Sequence, residues 1–144
     1  MDKKILIIHG PNLNLLGERE PEVYGNDTMD SINAEIAKEA QGLGLFCDFF
    51  QSNHEGEIID KIHSVRKTHS GIIINLGAYT HYSYAIRDAI AAITIPCIEV
   101  HLSNVYSRDE FRSKSVIAPV CKGQIAGFGK RSYILALKGI AEMV

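Results

Sequence analysis

The sequence has 144 residues, 46% hydrophobic and 22% charged, with a formal net charge of −2. Such a chain fits one globular domain, large enough to bury roughly 70% of its unfolded surface without staples. No run of Lys or Arg marks nucleic acid or an anionic membrane as the main partner, although a few local arginines would suffice for a small anionic substrate. Cys47, Cys97 and Cys121 are odd in number and widely spaced, as expected of unpaired thiols in a reducing compartment. The apolar run Ile5–Ile8 behind Met1-Asp2-Lys3-Lys4 is too short for a signal peptide, and no stretch approaches the ~20 apolar residues of a membrane span. These features predict a cytoplasmic protein.

Ile5 to Ile8 reads as a buried strand, and Leu45 to Phe50 as a second, weakened by Cys47-Asp48. Met29, Ile32, Ile36, Ala40 and Leu43 lie between them at helical spacing, after a cap at Asp27 or Thr28 and before Gly44. Ile58, Ile59, Ile62 and Val65 form a second amphipathic stripe, followed by the strand Gly71–Asn75. A third stripe, Tyr82, Ile86, Ala89, Ile90 and Ile93, is stopped by Pro96. The strand Cys97–His101 follows, then a fifth at Gln124–Phe128 with a glycine inside it, and a last helix over about Arg131 to Glu142. No repeat, linker or low-complexity segment interrupts the series.

Continuous apolar strands alternating with helices imply a parallel sheet covered on both faces. About five such units with right-handed crossovers predict a doubly wound, flavodoxin-like α/β sandwich of strand order 2-1-3-4-5. Ligands of open α/β sheets bind beyond the carboxyl ends of the strands. Those ends are polar here. The first runs into His9-Gly10-Pro11-Asn12, the third into Asn75 and Gly77-Ala78-Tyr79-Thr80-His81, and the fourth carries Glu99 and His101 before Ser103-Asn104. Asn12, Asn75 and His101 should therefore meet in one crevice, suited to a hydroxylated, uncharged ring.

Glu99 and His101 alternate along a strand and so share a face. A carboxylate beside an imidazole can fix its tautomer and hold it protonated, as a general acid requires; the pair also fits a strand-end histidine beside a solvated glutamate. The stretch from Asn12 to Gly25 is long for a strand–helix connection, and such loops are commonly lids. Gly17, Pro21 and Gly25 flank Arg19 and Tyr24 in it, giving an expected lid at about 17–26.

Leu13, Leu15 and Leu16 occupy the loop where flavin-binding proteins of this architecture cradle phosphate, which disfavours flavin. His54, His63 and His69, on or beside the second helix, lack zinc-ligand spacing and read as surface residues. Gly127-Phe128-Gly129 is only a fragment of a dinucleotide fingerprint.

Several blocks in order resemble type II 3-dehydroquinases: G-P-N-L-N-L-L-G at Gly10–Gly17, E-R-E-P-E-V-Y-G at Glu18–Gly25, Q-S-N-H-E-G at Gln51–Gly56, and G-A-Y-T-H at Gly77–His81. A-I-R-D-A at Ala85–Ala89, I-E-V-H-L-S-N at Ile98–Asn104 and R-D-E-F-R at Arg108–Arg112 continue the likeness over nearly the whole chain. Leu76, Tyr82 and Tyr84 depart from it and remove no reacting group.

The resemblance implies dehydration of 3-dehydroquinate to 3-dehydroshikimate through an enolate and anti elimination, with no cofactor, metal or imine. It implies Tyr24 as base, Arg19 as its activator, His101 oriented by Glu99 as proton donor, and Asn12 holding a water against the enolate oxygen. Asn75, His81, Ser103 with the Leu102 backbone, and Arg112 would bind substrate, and Asp88 would reach a neighbouring site in a dodecamer of four trimers. A free tyrosine titrates near ~10, so ionising one near neutrality takes roughly 4 kcal/mol. One arginine supplies about one to three pH units of that; a second cation, best met by Arg108, is expected beside Tyr24. An imine route needs a desolvated lysine, and Lys38, Lys61 and Lys130 fall away from the strand ends.

The competing readings are a flavin- or nucleotide-binding domain, which lacks its phosphate loop, and a phosphoryl-accepting module, which would need acidic residues where His9 and Asn75 stand.

Overall fold

The computed structural model describes residues 3–18, 22 and 26–144. The expected lid at 17–26 falls largely outside these, and Arg19 and Tyr24 lie outside them altogether.

Five parallel strands form one sheet in the order β2-β1-β3-β4-β5. They are β1 (Lys3–His9), β2 (Leu45–Gln51), β3 (Gly71–Asn75), β4 (Cys97–His101) and β5 (Gly123–Ala126). Helices α1 (Met29–Gly42), α2 (Glu55–Val65), α3 (Tyr84–Ala91) and α4 (Arg131–Ala141) cover it. The predicted architecture and strand order are the observed ones.

The pleat divides the core in two. Ile5, Ile7, Ile73, Ile98 and Val100 pack under α1 and α4, through Ile32, Ile36, Tyr133, Leu137 and Ile140. Leu6, Ile8, Ile72, Ile74 and Cys97 point the other way, against Ile58 and Ile62 of α2 and Ile86 and Ile90 of α3. Every residue of β3 and β4 is buried, including the polar Asn75, Glu99 and His101 toward their carboxyl ends.

Local chemistry sets the boundaries. Thr28 caps α1, its hydroxyl accepting from the Ser31 N–H at 3.1 Å while Ser31 Oγ accepts from the Thr28 N–H at 3.0 Å. The third helix starts later than its apolar spacing suggests. Ser83 Oγ accepts from the Ile86 N–H at 3.2 Å and begins α3 at Tyr84, leaving Tyr82 outside and 58% exposed. β5 runs Gly123–Ala126 and ends before Gly127, whose φ of 98° leaves extended geometry. Asp48 does not interrupt β2: on this edge strand its carboxylate accepts from His69 Nε2 at 2.7 Å. That bond also corrects the surface placement of His69, whose side chain is only 9% exposed. His54 and His63 are exposed as expected.

Two close approaches hold the strand ends together. The Gly10 N–H donates to the Asn75 carbonyl at 2.7 Å, and a Cβ on Gly10 would meet the Leu76 carbonyl carbon and oxygen at 2.6 Å. Gly77 has φ +56° and lies where a Cβ would be 3.1 Å from the Pro11 carbonyl. The loops after β1 and β3 are thereby pressed backbone to backbone. Gly10→Ala should cost at least about 2 kcal/mol in urea unfolding because backbone must move. Gly123→Ala, with nothing within 4 Å of its new carbon, should stay within about 1 kcal/mol of the parent.

Candidate active site

The loops at the carboxyl ends of β1, β3 and β4 enclose a cavity lined by Asn12, Asn75, His81, His101, Ser103, Arg108 and Arg112, with Pro11, Leu13, Gly77, Ala78 and Val105 completing its wall. The predicted convergence of Asn12, Asn75 and His101 is met. Asn12 adopts a left-handed conformation, φ 69°, which asparagine tolerates better than most side chains. Its N–H donates to Asn53 Oδ1 at 3.0 Å, while Leu13 and Leu16 anchor the following turn in the core. Two of the leucines that stand in place of a phosphate loop, Leu13 and Leu16, thus fasten Asn12 at the cavity, while Leu15 is exposed.

Glu99 and His101 project to the same side of β4, as their spacing requires. Glu99 has no exposure, and its Oε2 accepts from His101 Nε2 at 2.5 Å. The carboxylate is otherwise satisfied by Ser115 Oγ on Oε1 at 2.9 Å and by Gln124 Nε2 on Oε2 at 3.0 Å. Since Nε2 is committed to Glu99, Nδ1 is the ring nitrogen left to exchange a proton with a ligand. Glu99 itself does not line the cavity; it stands behind the imidazole. Ser115 and Gln124 were not anticipated. Gln124 is the cross-strand neighbour of Glu99 in the β4–β5 register, a relation that needs the pairing to be known.

His81 is positioned through the backbone: its Nδ1–H donates to the Lys114 carbonyl at 2.6 Å, and its ring stands edge-on to Phe111 at 6.2 Å. Burial pushes its pKa down, helped by His101 and Arg112 and opposed by the bond to Lys114 and by Glu99. A neutral ring protonated at Nδ1 keeps an Nε2 lone pair, an acceptor for a hydroxyl.

Arg108 and Arg112 give the cavity a cationic wall. The Arg112 guanidinium lies 4.7 Å from the Phe111 ring centroid and 3.7 Å from the Asp109 carboxylate, which pre-aims it. Leu102 and Asp88, like Glu99, do not line the cavity, and Asp88 was expected at a neighbouring one. The Leu102 side chain belongs to the α1/α4 core and its carbonyl accepts from the Gly129 N–H at 2.9 Å. Asp88 is exposed on α3 and does not line the cavity. Among the described residues, no lysine lines it either. Among the described residues, no three His, Cys, Asp or Glu side chains are grouped as a metal site, and no helix is long and apolar enough to cross a membrane.

A buried polar chain reaches Asn75 from behind. His9 Nε2 bonds Asn33 Oδ1 at 2.7 Å, His9 Nδ1 bonds the Tyr133 hydroxyl at 2.9 Å, and Asn75 Nδ2 donates to that hydroxyl at 3.1 Å. The Gly77 N–H donates to Asn75 Oδ1 at 3.2 Å.

The cavity of this flavodoxin-like α/β protein thus holds one imidazole backed by a buried carboxylate, with amides, a second imidazole and guanidinium groups around it. The family model described as Dehydroquinase class II matches residues 3–141. The chain is 59% identical over 143 residues to a 3-dehydroquinate dehydratase of Caldicellulosiruptor bescii, covering 99% of both chains. It is 60% identical over 138 residues to that of Trichodesmium erythraeum, covering 96% of this chain and 92% of the other. The crystal structure of the type II dehydroquinase from Butyrivibrio crossotus superposes with a TM-score of 0.94 at 50% identity, covering 96% of this chain and 97% of that one. The one from Propionibacterium acnes gives 0.95 at 41%, covering 99% and 98%. The chain belongs to the class II dehydroquinase family.

Burial of His9 has a consequence for acid stability. Desolvation lowers its pKa from 6.5 to about 4, against the bond to Asn33, which raises it. The unfolded chain takes up a proton near pH 6.5 and the folded chain only near pH 4, so stability falls as pH drops through that window and levels off below it. Urea unfolding from pH 7 down to pH 4 should show the parent losing roughly 3 kcal/mol more than His9→Gln, which has no such proton to bind.

Proposed function

We propose that the chain is a type II 3-dehydroquinate dehydratase, removing water from 3-dehydroquinate to give 3-dehydroshikimate in the shikimate pathway. The observation that carries this reading is the buried Glu99 against His101 Nε2 at 2.5 Å, behind the wall of a cavity whose amides and arginines suit a hydroxylated ring bearing a carboxylate. The family relationship supplies the reaction.

Tyr24, ionised by Arg19 and by Arg108 from the cavity wall, takes the proton from the carbon beside the ketone. The electron pair left on carbon delocalises onto the carbonyl oxygen as an enolate, against which Asn12 holds a water. The enolate then collapses: the ketone reforms, the double bond closes, and the C–O bond of the departing hydroxyl breaks. His101 gives that oxygen its proton from Nδ1, and water leaves. Glu99 balances the charge of the doubly protonated ring and prevents it from turning. Arg112 takes the substrate carboxylate, and Asn75, His81 and Ser103 with the Leu102 N–H take hydroxyls and remaining oxygens. Asp88 serves the cavity of a neighbouring subunit in a dodecamer of four trimers. Catalysis is metal-free and imine-free, the latter supported by a cavity with no lysine among the described residues that line it. The chain acts as one functional domain with a lid at about 17–26, and its setting is cytoplasmic biosynthesis.

Purified protein given 3-dehydroquinate should develop enone absorbance at a rate unaffected by chelator or borohydride; loss of the signal with either reagent overturns the corresponding half of the mechanism. Tyr24→Phe and His101→Ala should each lower kcat by about 10²–10⁴-fold, the usual worth of a positioned acid or base, with the fold retained by circular dichroism. Undiminished kcat in Tyr24→Phe refutes the base assignment.

A further inference from the structure

The two ends of the Asn75 amide are alike in shape and opposite in hydrogen-bond sense. Which end meets the cavity is decided by the chain behind it. Asn33 Oδ1 can only accept, so His9 must carry its proton on Nε2. With that ring neutral, Nδ1 holds a lone pair, and the Tyr133 hydroxyl must donate to it. The Tyr133 oxygen is then left as the acceptor for Asn75 Nδ2. At the other end the Gly77 N–H, a donor with no alternative sense, claims Asn75 Oδ1. The senses are mutually consistent, and the middle of the chain is shut off from solvent: His9 and Tyr133 have no exposure and Asn75 only 3%, while Asn33 and Gly77 at its two ends are half-buried. Turning the amide over would set its oxygen against the Tyr133 oxygen and its NH2 against the Gly77 N–H, losing both bonds at once.

One amide N–H of Asn75 is left over. We propose that His9 and Tyr133 are positioning residues that oblige Asn75 to show the cavity an N–H donor and never a carbonyl, so that this wall accepts only a substrate oxygen offering a lone pair. The inference rests on the dehydratase reading and deepens it. The surroundings support it as more than core packing. The ends of β1 and β3 lie side by side, with His9 paired to Asn75 in the register. Both side chains fall on the α1/α4 face, and α4 places Tyr133 between them with its ring edge-on to His9 at 5.3 Å.

The test is a double-mutant cycle on kcat/KM for 3-dehydroquinate, using the parent, Tyr133→Phe, Asn75→Ala and the double variant. Tyr133→Phe should lower kcat/KM at least about tenfold in the parent, the effect of one charge-free hydrogen bond and its orienting role, yet less than about twofold once Asn75 is alanine. The same factor in both backgrounds overturns the proposal, since it assigns Tyr133 a structural effect independent of Asn75. His9 gives a second series that stands even if Tyr133→Phe does not fold. His9→Gln, whose amide can accept from Tyr133 and donate to Asn33, should keep kcat/KM within about threefold of the parent, whereas His9→Leu should fall at least about tenfold. Parental kcat/KM in His9→Leu overturns the proposal. A parent with no enone formation refutes the dehydratase reading and this inference with it; an active parent with an additive cycle refutes this inference alone.

Discussion

A carboxylate with no solvent contact has to have its lone pairs met by protein, and at Glu99 that demand organises the end of β4. His101, Ser115 and Gln124 come from the same strand, the 105–120 segment and the neighbouring strand, and all three donate to it. The carboxylate fixes the imidazole, and the imidazole's remaining nitrogen addresses the cavity. Ser115 also accepts from the Ala118 N–H at 3.0 Å, so the group that satisfies the carboxylate starts the turn that brings the chain back to β5. Removing the charge would disorganise three elements together; leaving it unmet would cost several kcal/mol.

The cavity is made where this constraint meets a second, the backbone contact of the first and third loops. Gly10 against Leu76 and Gly77 against Pro11 leave no space between them, and Asn12 and Asn75 project from either side of that contact. Arg108, Arg112 and the Lys114 carbonyl then come from the long 105–120 excursion, so charge is added last, on a rim built on already rigid strand ends. A small net negative chain thereby carries a locally cationic cleft.

The strands and their order were legible because β3 and β4 are buried on both faces and flanked by polar residues, so apolar runs and elements coincide. The alternation of Glu99 and His101 was legible for the same reason, as were Asn12 and Asn75 as strand-end residues. What was hidden depended on relations across the sheet. Gln124 becomes a partner of Glu99 only through the register, and Tyr133 becomes a partner of Asn75 only through the face on which α4 packs. Tyr82 looked helical because its spacing fits the stripe, yet the Ser83 hydroxyl decides where α3 begins. Arg19 and Tyr24 came from resemblance, not from any pattern of spacing.

The two-sided pleat has an evolutionary implication. Asn75 is braced from the layer of α1 and α4, whereas His101 and Glu99 face the opposite layer. The amide and the imidazole that line the cavity therefore take their support from different hydrophobic populations. Drift among the residues beneath α4 can shift the amide while the imidazole and its carboxylate stay undisturbed, and drift on the far side can do the reverse. Such partition lets a small sheet explore new ligands without having to reinvent its chemistry.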